Sequence, residues 1–354
     1  RWNYIGTGAL PASASLVMFD QVKTGRRIPQ WEPIQFFAER QPITPSLWTE
    51  DRYFYEQNKY TANRAVTENV TAGYALASGR VGRTGLIAVV IDDDLSIFAD
   101  PFWATVTSGI SRVLMENELQ TLLMVTPLES VDGPVAHYLM GGEVDGAIFF
   151  QLHKDALIKR LRKQNLPIVI TGTPHSRSDF PFVDTDSFGG AHAATKYLFS
   201  RGCKQVGIIT GDIDTTAGAA RLDGYNQAYR ESGHVPSKKL IAAGDWSMES
   251  GRAAMARLLE KAEGIDGVFA SNDLMAVGAM AAIEEAGLRV PEDIKIIGFD
   301  DSVVAQTARP ALTSVRQDIV ALGEAAAELM IAQLRGEEVE PRILKSELVI
   351  RETA

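Results

Sequence analysis

The chain has 354 residues, of which 45% are hydrophobic, 8% aromatic and 23% charged, and its formal net charge is −10. That composition is ordinary for a globular protein of about two domains, and the charge excludes a surface that is basic overall. A single cysteine, Cys203, excludes a disulfide framework and a Cys-based zinc site within one chain and suits a reducing cytoplasm. No run of 18 apolar residues occurs, so no helical membrane span is expected.

The charge is uneven. Residues 1–83 hold 10 Lys/Arg against 7 Asp/Glu, and the remainder holds 25 against 38. Three of the five tryptophans (Trp2, Trp31, Trp48) and five of the fifteen prolines also fall there, with no sustained helical or alternating period. A mildly basic start on an acidic body permits a local nucleic-acid contact without demonstrating one.

From Thr84 onward strands and helices alternate. Leu86–Ile91 (LIAVVI) is a continuous apolar, β-branched run suited to a strand covered on both faces. A helix at Pro101–Glu116, a strand at Thr121–Val125, a helix near Val131–Met140 and a strand at Gly146–Phe150 follow. A helix at Asp155–Gln164 and a strand at Pro167–Thr171 complete the first series. The stretch Thr173–Asp186, polar and rich in turn formers, reads as a break between domains.

The second series runs through helix Gly189–Arg201, strand Gln205–Thr210, helix Ala217–Ser232 and strand Lys239–Ala243. It continues with helix Met248–Lys261, strand Gly267–Ala270, helix Leu274–Ala286 and strand Ile294–Phe299. Repeated strand–helix units imply an α/β protein with parallel strands in one long sheet or two doubly wound domains, and the break at Thr173–Asp186 favours two lobes facing each other. Ligands of such sheets bind at the carboxyl ends of the strands, so a cleft lined by loops from both lobes is the expected site.

Enzyme signatures are missing. There is no G-x-x-x-x-G-K-[ST] loop, no G-x-G-x-x-G after the first strand and no G-x-S-x-G elbow. His137, His153, His175, His192 and His234 lack metal-ligand spacing, so neither metal nor cofactor is expected. Asp92-Asp93-Asp94 and Asp300-Asp301 could in principle serve as an acid/base pair, but a strand-end loop that caps the next helix and faces solvent is the better account of the first cluster. An enzyme is not expected.

The post-strand loops of the second lobe carry another set: Arg221 near a helix start, Trp246 after GD, Asn272 in SND, and Asp300. Planar Arg, Asn and carboxylate groups bond adjacent hydroxyls in pairs, and an indole packs on a sugar face, so the mixture suits a neutral polyhydroxylated ligand. Each residue also has a structural alternative: Asn272 as a helix cap, Arg221 paired with a neighbouring acid, Trp246 in the core. In the first lobe, Asp100-Pro101 starts a helix, and Phe102 or Trp103 either walls the cleft or staples that helix.

From about Gly79 onward the chain resembles the lactose/galactose repressor (LacI/GalR) family of bacterial transcription regulators. The matching stretches are GRTGLIAVVI, DPFWATVTSGI, VDTDSFGGAHAATKYL, ARLDGY, GDWSMESG, FASNDLMAVGAMAAIEEAGLRVPEDIKIIGFDD and PALTSVRQDIVALGEAA, in that order. The resemblance implies a periplasmic-binding-protein-like body with three crossovers between lobes. One lobe would comprise residues 84–185 plus 317–339, with helix Ile319–Gly336 returning to it. The other would comprise residues 186–316 plus 340–354. It also implies a dimer that binds a small carbohydrate effector and operator DNA in the cytoplasm, with no membrane partner. Carried over residue by residue, Arg221, Trp246, Asn272, Asp300 and Gln317 would contact the effector, and Phe102 or Trp103 would close the pocket.

The N-terminal part departs from the family pattern. Residues 1–73 occupy the headpiece position without a recognisable helix-turn-helix, and residues 74–83 resemble a hinge linker in which Leu76 is the candidate minor-groove wedge. A shifted reading frame over a former headpiece and an unrelated extension are the two explanations. The alternative function on the same fold is a solute-binding protein of a sugar transport system.

Overall fold

The computed structural model describes residues 84–91, 100–125, 134–150, 161, 166–174, 180–233 and 236–354. Residues 1–73, the linker 74–83 with Leu76, Asp92-Asp93-Asp94 and nearly all of the expected helix Asp155–Gln164 lie outside that set.

The first sheet contains β1 (Leu86–Ile91), β2 (Gln120–Val125), β3 (Gly146–Phe150), β4 (Ile168–Thr171) and β5 (Phe182–Thr185). Its helices are α1 (Pro101–Glu116) and α2 (Pro134–Met140). β1 lies between β3 and β2, paired in parallel with both. That position explains the unbroken apolar run. Ile87, Val89 and Ile91 enter the core on one face of the sheet, and Ala88 and Val90 enter the core on the other.

The second sheet is built from β6 (Val206–Thr210), β7 (Ile241–Ala243), β8 (Gly267–Ala270), β9 (Lys295–Asp300) and β10 (Thr313–Arg316). Helices α3 (Ser187–Ser200), α4 (Thr216–Glu231), α5 (Met248–Lys261), α6 (Asp273–Glu285) and the short α7 (Val303–Thr307) connect them. The chain then forms α8 (Ile319–Leu334), β11 (Arg342–Leu344) and β12 (Glu347–Val349). The strand orders are β11-β5-β4-β3-β1-β2 and β12-β10-β9-β8-β6-β7. β12 runs antiparallel to β10, and every other pairing is parallel.

Two doubly wound sheets with three passages between them are the expected architecture. The chain leaves the first lobe after β5, returns through Gln317 to α8, and leaves again between β11 and β12. Three expectations need correction. The break at Thr173–Asp186 contains β5, because Val183 and Thr185 point inward while the backbone bonds to β4 and β11. Arg342–Leu344 joins the first sheet, whereas the whole of residues 340–354 was expected in the second lobe. Lys238–Leu240 form a 3₁₀ turn started by Ser237, so the strand expected from Lys239 begins only at Ile241.

α8 is fixed to the first lobe by close backbone approach. A Cβ on Gly323 would fall 2.2 Å from the carbonyl oxygen of Val106, and one on Gly109 would fall 2.4 Å from that of Val320. Glycine therefore permits α1 and α8 to touch. Gly323→Val should push the helices apart and destabilise the fold by about 1–3 kcal/mol or more, read as a lowered urea midpoint. An unchanged midpoint would show that α1 and α8 do not need glycine at their contact.

Candidate functional site

The carboxyl ends of β6, β7, β8, β9 and β10 carry Gly211, Trp246, Ser271-Asn272-Asp273, Asp300-Asp301 and Gln317 in sequence. Arg221 joins them from α4. Thr215 caps that helix by accepting from Gly218 N, and the spacing of Gly218, Arg221, Gly224, Tyr225 and Ala228 turns Arg221 inward, where it is 4% exposed. Its Nη1 donates to the carbonyl of Ser271, and its Nη2 stands 3.9 Å from Asp300 Oδ1. The guanidinium carbon lies 3.6 Å from the Phe299 ring centroid and 5.5 Å from that of Trp246.

Asp300 ends β9 at φ +108°, a strained value for a residue with a Cβ. Its Oδ1 accepts from Gln317 Nε2 at 2.5 Å. Burial pushes its carboxyl well above the usual range, Arg221 and the Gln317 bond oppose the shift, and Asp273 and Asp100 reinforce it. Trp246 is also left-handed, at φ +74°, and its ring lies against Gly211, where a Cβ would come 2.1 Å from the indole. Asn272 supports this arrangement: Nδ2 donates to the Trp246 carbonyl at 2.8 Å, and Oδ1 accepts from Met275 N at 2.9 Å as the cap of α6. Asn272 therefore does what its structural alternative required, capping a helix, and it also fixes the loop that presents Trp246.

The structure thus gathers Arg221, Trp246, Asn272, Asp300 and Gln317. Phe102 and Trp103 are held within the first lobe instead. Their rings meet edge to face at 5.2 Å, and Trp103 meets Phe150, at the carboxyl end of β3, at 5.3 Å. Asp100 just before them caps α1 by accepting from Phe102 N at 2.9 Å. Burial raises its carboxyl, and Arg221 of the second lobe acts on it in the opposite direction. The lobes also approach where Gly172, after β4, nears Thr216 of α4.

Several residues here were not singled out from the sequence. Asp184 on β5 accepts from Thr173 N, Thr173 Oγ1 and Thr185 N, and with Asp100, Asp273 and Asp300 it acts on Arg221, whose own pKa burial lowers. Among the described residues, Thr185 Oγ1, Ser271 Oγ and Arg221 Nε are buried without a hydrogen-bond partner. The available signal was position: Thr185 and Ser271 sit at or just past strand ends, and Asp100 and Asp273 begin helices. Among the described residues no group of three or more His, Cys, Asp and Glu could hold a metal. His192, on α3, bonds Glu231 at 3.0 Å, while His153, His175 and His234 lie outside the described residues.

Asp273 is 1% exposed, and its bonds come from neutral donors, Ser302 N at 2.7 Å and Ser314 Oγ at 2.6 Å. Burial pushes it up to about 7. The fold thus binds a proton that the unfolded chain releases near the ordinary carboxyl value of 3.8. The stability this contributes is complete below that value and is lost as pH rises through about 7. Asp273→Asn, a neutral isostere, should flatten that decline, leaving the variant more stable than the parent above neutrality. Urea midpoints at acid and alkaline pH test this; equal slopes for the two proteins would refute it.

Comparison with known proteins gives the geometry its family. Residues 195–354 match the family described as periplasmic binding protein-like domain. The HTH-type transcriptional regulator CelR of Thermobifida fusca is 34% identical over 300 residues, 83% of this chain and 85% of the relative. The HTH-type transcriptional repressor CytR of Escherichia coli K12 is 31% identical over 280 residues, 75% and 78% of the two chains. Among solved structures, a CelR–cellobiose complex superposes with a TM-score of 0.72 at 34% identity, covering 79% of this chain and 88% of that one. A LacI family regulator from Enterococcus faecium with bound ribose gives 0.67 at 28% identity, covering 76% and 98%. No described helix is long and apolar enough to cross a membrane. The chain belongs to the LacI family of transcriptional regulators.

Proposed function

We propose that this protein is a sugar-responsive regulator that binds a small carbohydrate between its lobes and, as a dimer, adjusts its affinity for operator DNA. The observation that carries the reading is the buried set Arg221, Asp300 and Gln317 beside the Trp246 ring: donors and acceptors at fixed angles next to an apolar plate. Sugar hydroxyls both donate and accept, so one ligand can engage the free Arg221 Nε and the Asp300 carboxylate together. Phe102 and Trp103, two and three residues from Asp100, would close the ligand in from the first lobe.

A ligand held by both lobes stabilises their closed arrangement over any other, and by linkage changes DNA affinity by the same factor that DNA changes ligand affinity. In this reading residues 84–185 plus 317–344 form the first lobe, and residues 186–316 plus 345–354 form the second. Residues 1–73 and 74–83 occupy the positions of DNA reader and linker. The protein would act in the cytoplasm, without a cofactor and without catalysis. Fluorescence anisotropy on its own upstream DNA, with and without cellobiose or ribose, tests the proposal. A sugar-dependent shift of salt-sensitive, sequence-specific binding is expected. Coincident DNA-binding curves across a broad panel of neutral sugars would overturn it.

A further inference from the structure

We propose that Gly211 is a positioning residue for effector binding: its lack of a side chain makes the seat on which the Trp246 indole rests, and so sets where a sugar ring stacks. This role rests on the carbohydrate reading above and deepens it, because that reading names the indole without saying what fixes its place.

An aromatic plate selects a ligand by where its plane lies, since ring contacts act only at van der Waals distance and in a definite orientation. On an open loop a tryptophan turns about its side-chain torsions. Here the backbone removes part of that freedom. Gly244 N donates to the Thr210 carbonyl at 2.8 Å, and Asp245 N donates to Ser250 Oγ at 3.0 Å. Ser247 N donates to Asp245 Oδ1 at 3.0 Å, and Asn272 Nδ2 donates to the Trp246 carbonyl at 2.8 Å. These bonds tie the loop to β6, α5 and α6 and hold Trp246 at φ +74°, which fixes the direction in which its side chain leaves the backbone.

Gly211, just past the end of β6, fixes the rest. A Cβ there would fall 2.1, 2.2 and 2.4 Å from Cη2, Cζ2 and Cζ3 of Trp246. Carbon atoms in contact stand about 3.5–4 Å apart, so the outer ring of the indole fills the volume that a side chain would take. Other glycines of this lobe answer to the backbone: a Cβ on Gly218 would strike the Asp212 carbonyl at 2.1 Å, and one on Gly251 the Met275 carbonyl at 2.2 Å. At Gly211 the three nearest atoms all belong to the far edge of one side chain, and the backbone φ is not left-handed. Alanine is therefore unstrained there and displaces the indole instead. With the loop tied, the clash is relieved by turning the ring off β6. The ring then leaves its place 5.5 Å from the Arg221 guanidinium carbon, and the apolar plate and the polar groups no longer meet the same ligand.

The test uses the full chain, calorimetric titration with a panel of neutral sugars that includes cellobiose and ribose, and tryptophan emission. Gly211→Ala should weaken a sugar that binds the parent about tenfold, the order of one lost ring contact. Trp246→Leu should cost at least as much. In the Trp246→Leu background Gly211→Ala should cost nothing further, because the atoms it strikes are gone. A glycine needed only for the fold would add its loss in both backgrounds. Emission reads the ring without any ligand: Gly211→Ala should move it to longer wavelength, and should leave it in place once Trp246→Leu is present. Unchanged sugar affinity in Gly211→Ala would overturn the proposal. So would an equal loss in both backgrounds, or an emission that Gly211→Ala does not move. If the parent binds no sugar of the panel, the carbohydrate reading itself fails and the role of Gly211 falls with it, a result distinct from a sugar that binds both chains equally.

Discussion

Arg221→Met should weaken effector binding by at least about 100-fold. The substitution keeps most of the apolar stem against Phe299 and Trp246 but removes the guanidinium and so leaves Asp300 without its positive neighbour. Burial already raises the Asp300 carboxyl. Without Arg221 it rises further, the residue becomes neutral, and the site loses both a charged donor and a charged acceptor for hydroxyls. Arg221→Lys should not rescue, because an ammonium cannot reach the Ser271 carbonyl and the Asp300 side together or stack its plane on an aromatic ring. Titration of a neutral sugar that binds the parent decides the matter. Undiminished binding by Arg221→Met would remove Arg221 from the site, while a folded-state spectrum matching the parent's would exclude simple unfolding.

Asp301→Ala should cost about 3–5 kcal/mol of stability without acting through the ligand. Asp301 adjoins Asp300 but serves a different purpose. Its carboxylate, 2% exposed, accepts from Arg316 Nε at 2.7 Å and from Arg351 Nη2 at 2.5 Å, and its backbone N donates to Ser314 Oγ at 3.1 Å. It therefore ties the end of β9 to β10 and to the segment after β12. Removing it leaves Arg351, whose side chain is only 18% exposed, without its carboxylate. The comparison is Asp293→Ala, which breaks the Arg289–Asp293 pair on the surface, where Arg289 is 68% exposed; that loss should be much the smaller of the two. Thermal or urea unfolding of the two variants checks the ranking. Equal midpoints would show that the buried position of Asp301 confers nothing extra.

The neighbouring pair Asp300-Asp301 shows how far sequence reading extends. Both are visible as carboxylates at a strand end, and the family resemblance, not any local pattern, singles out Asp300. Each has positive φ, at +108° and +56°, and this turn of the backbone sends one toward Arg221 and the other toward Arg316 and Arg351. Asn272 was legible both as a cap and as a ligand residue, and its amide caps α6 and holds the Trp246 loop. Asp100 and Asp273 read as helix starts. Their proximity to Arg221 depends on how strand ends from different parts of the chain converge.

What the sequence determined by itself was everything encoded within a few residues. LIAVVI specified a strand covered on both faces, Asp100-Pro101 specified a helix start, and the alternation of apolar runs with helical periods specified parallel strands. Those features follow from side-chain period, capping chemistry and backbone preference, which are local. Tertiary structure decided β5 and β11, because FVDT and RIL become strands only when a neighbouring edge supplies hydrogen bonds. It also decided which carboxylates are buried without a cation and which are paired. Burial and charge compensation depend on residues far apart in the chain, and no local pattern records them.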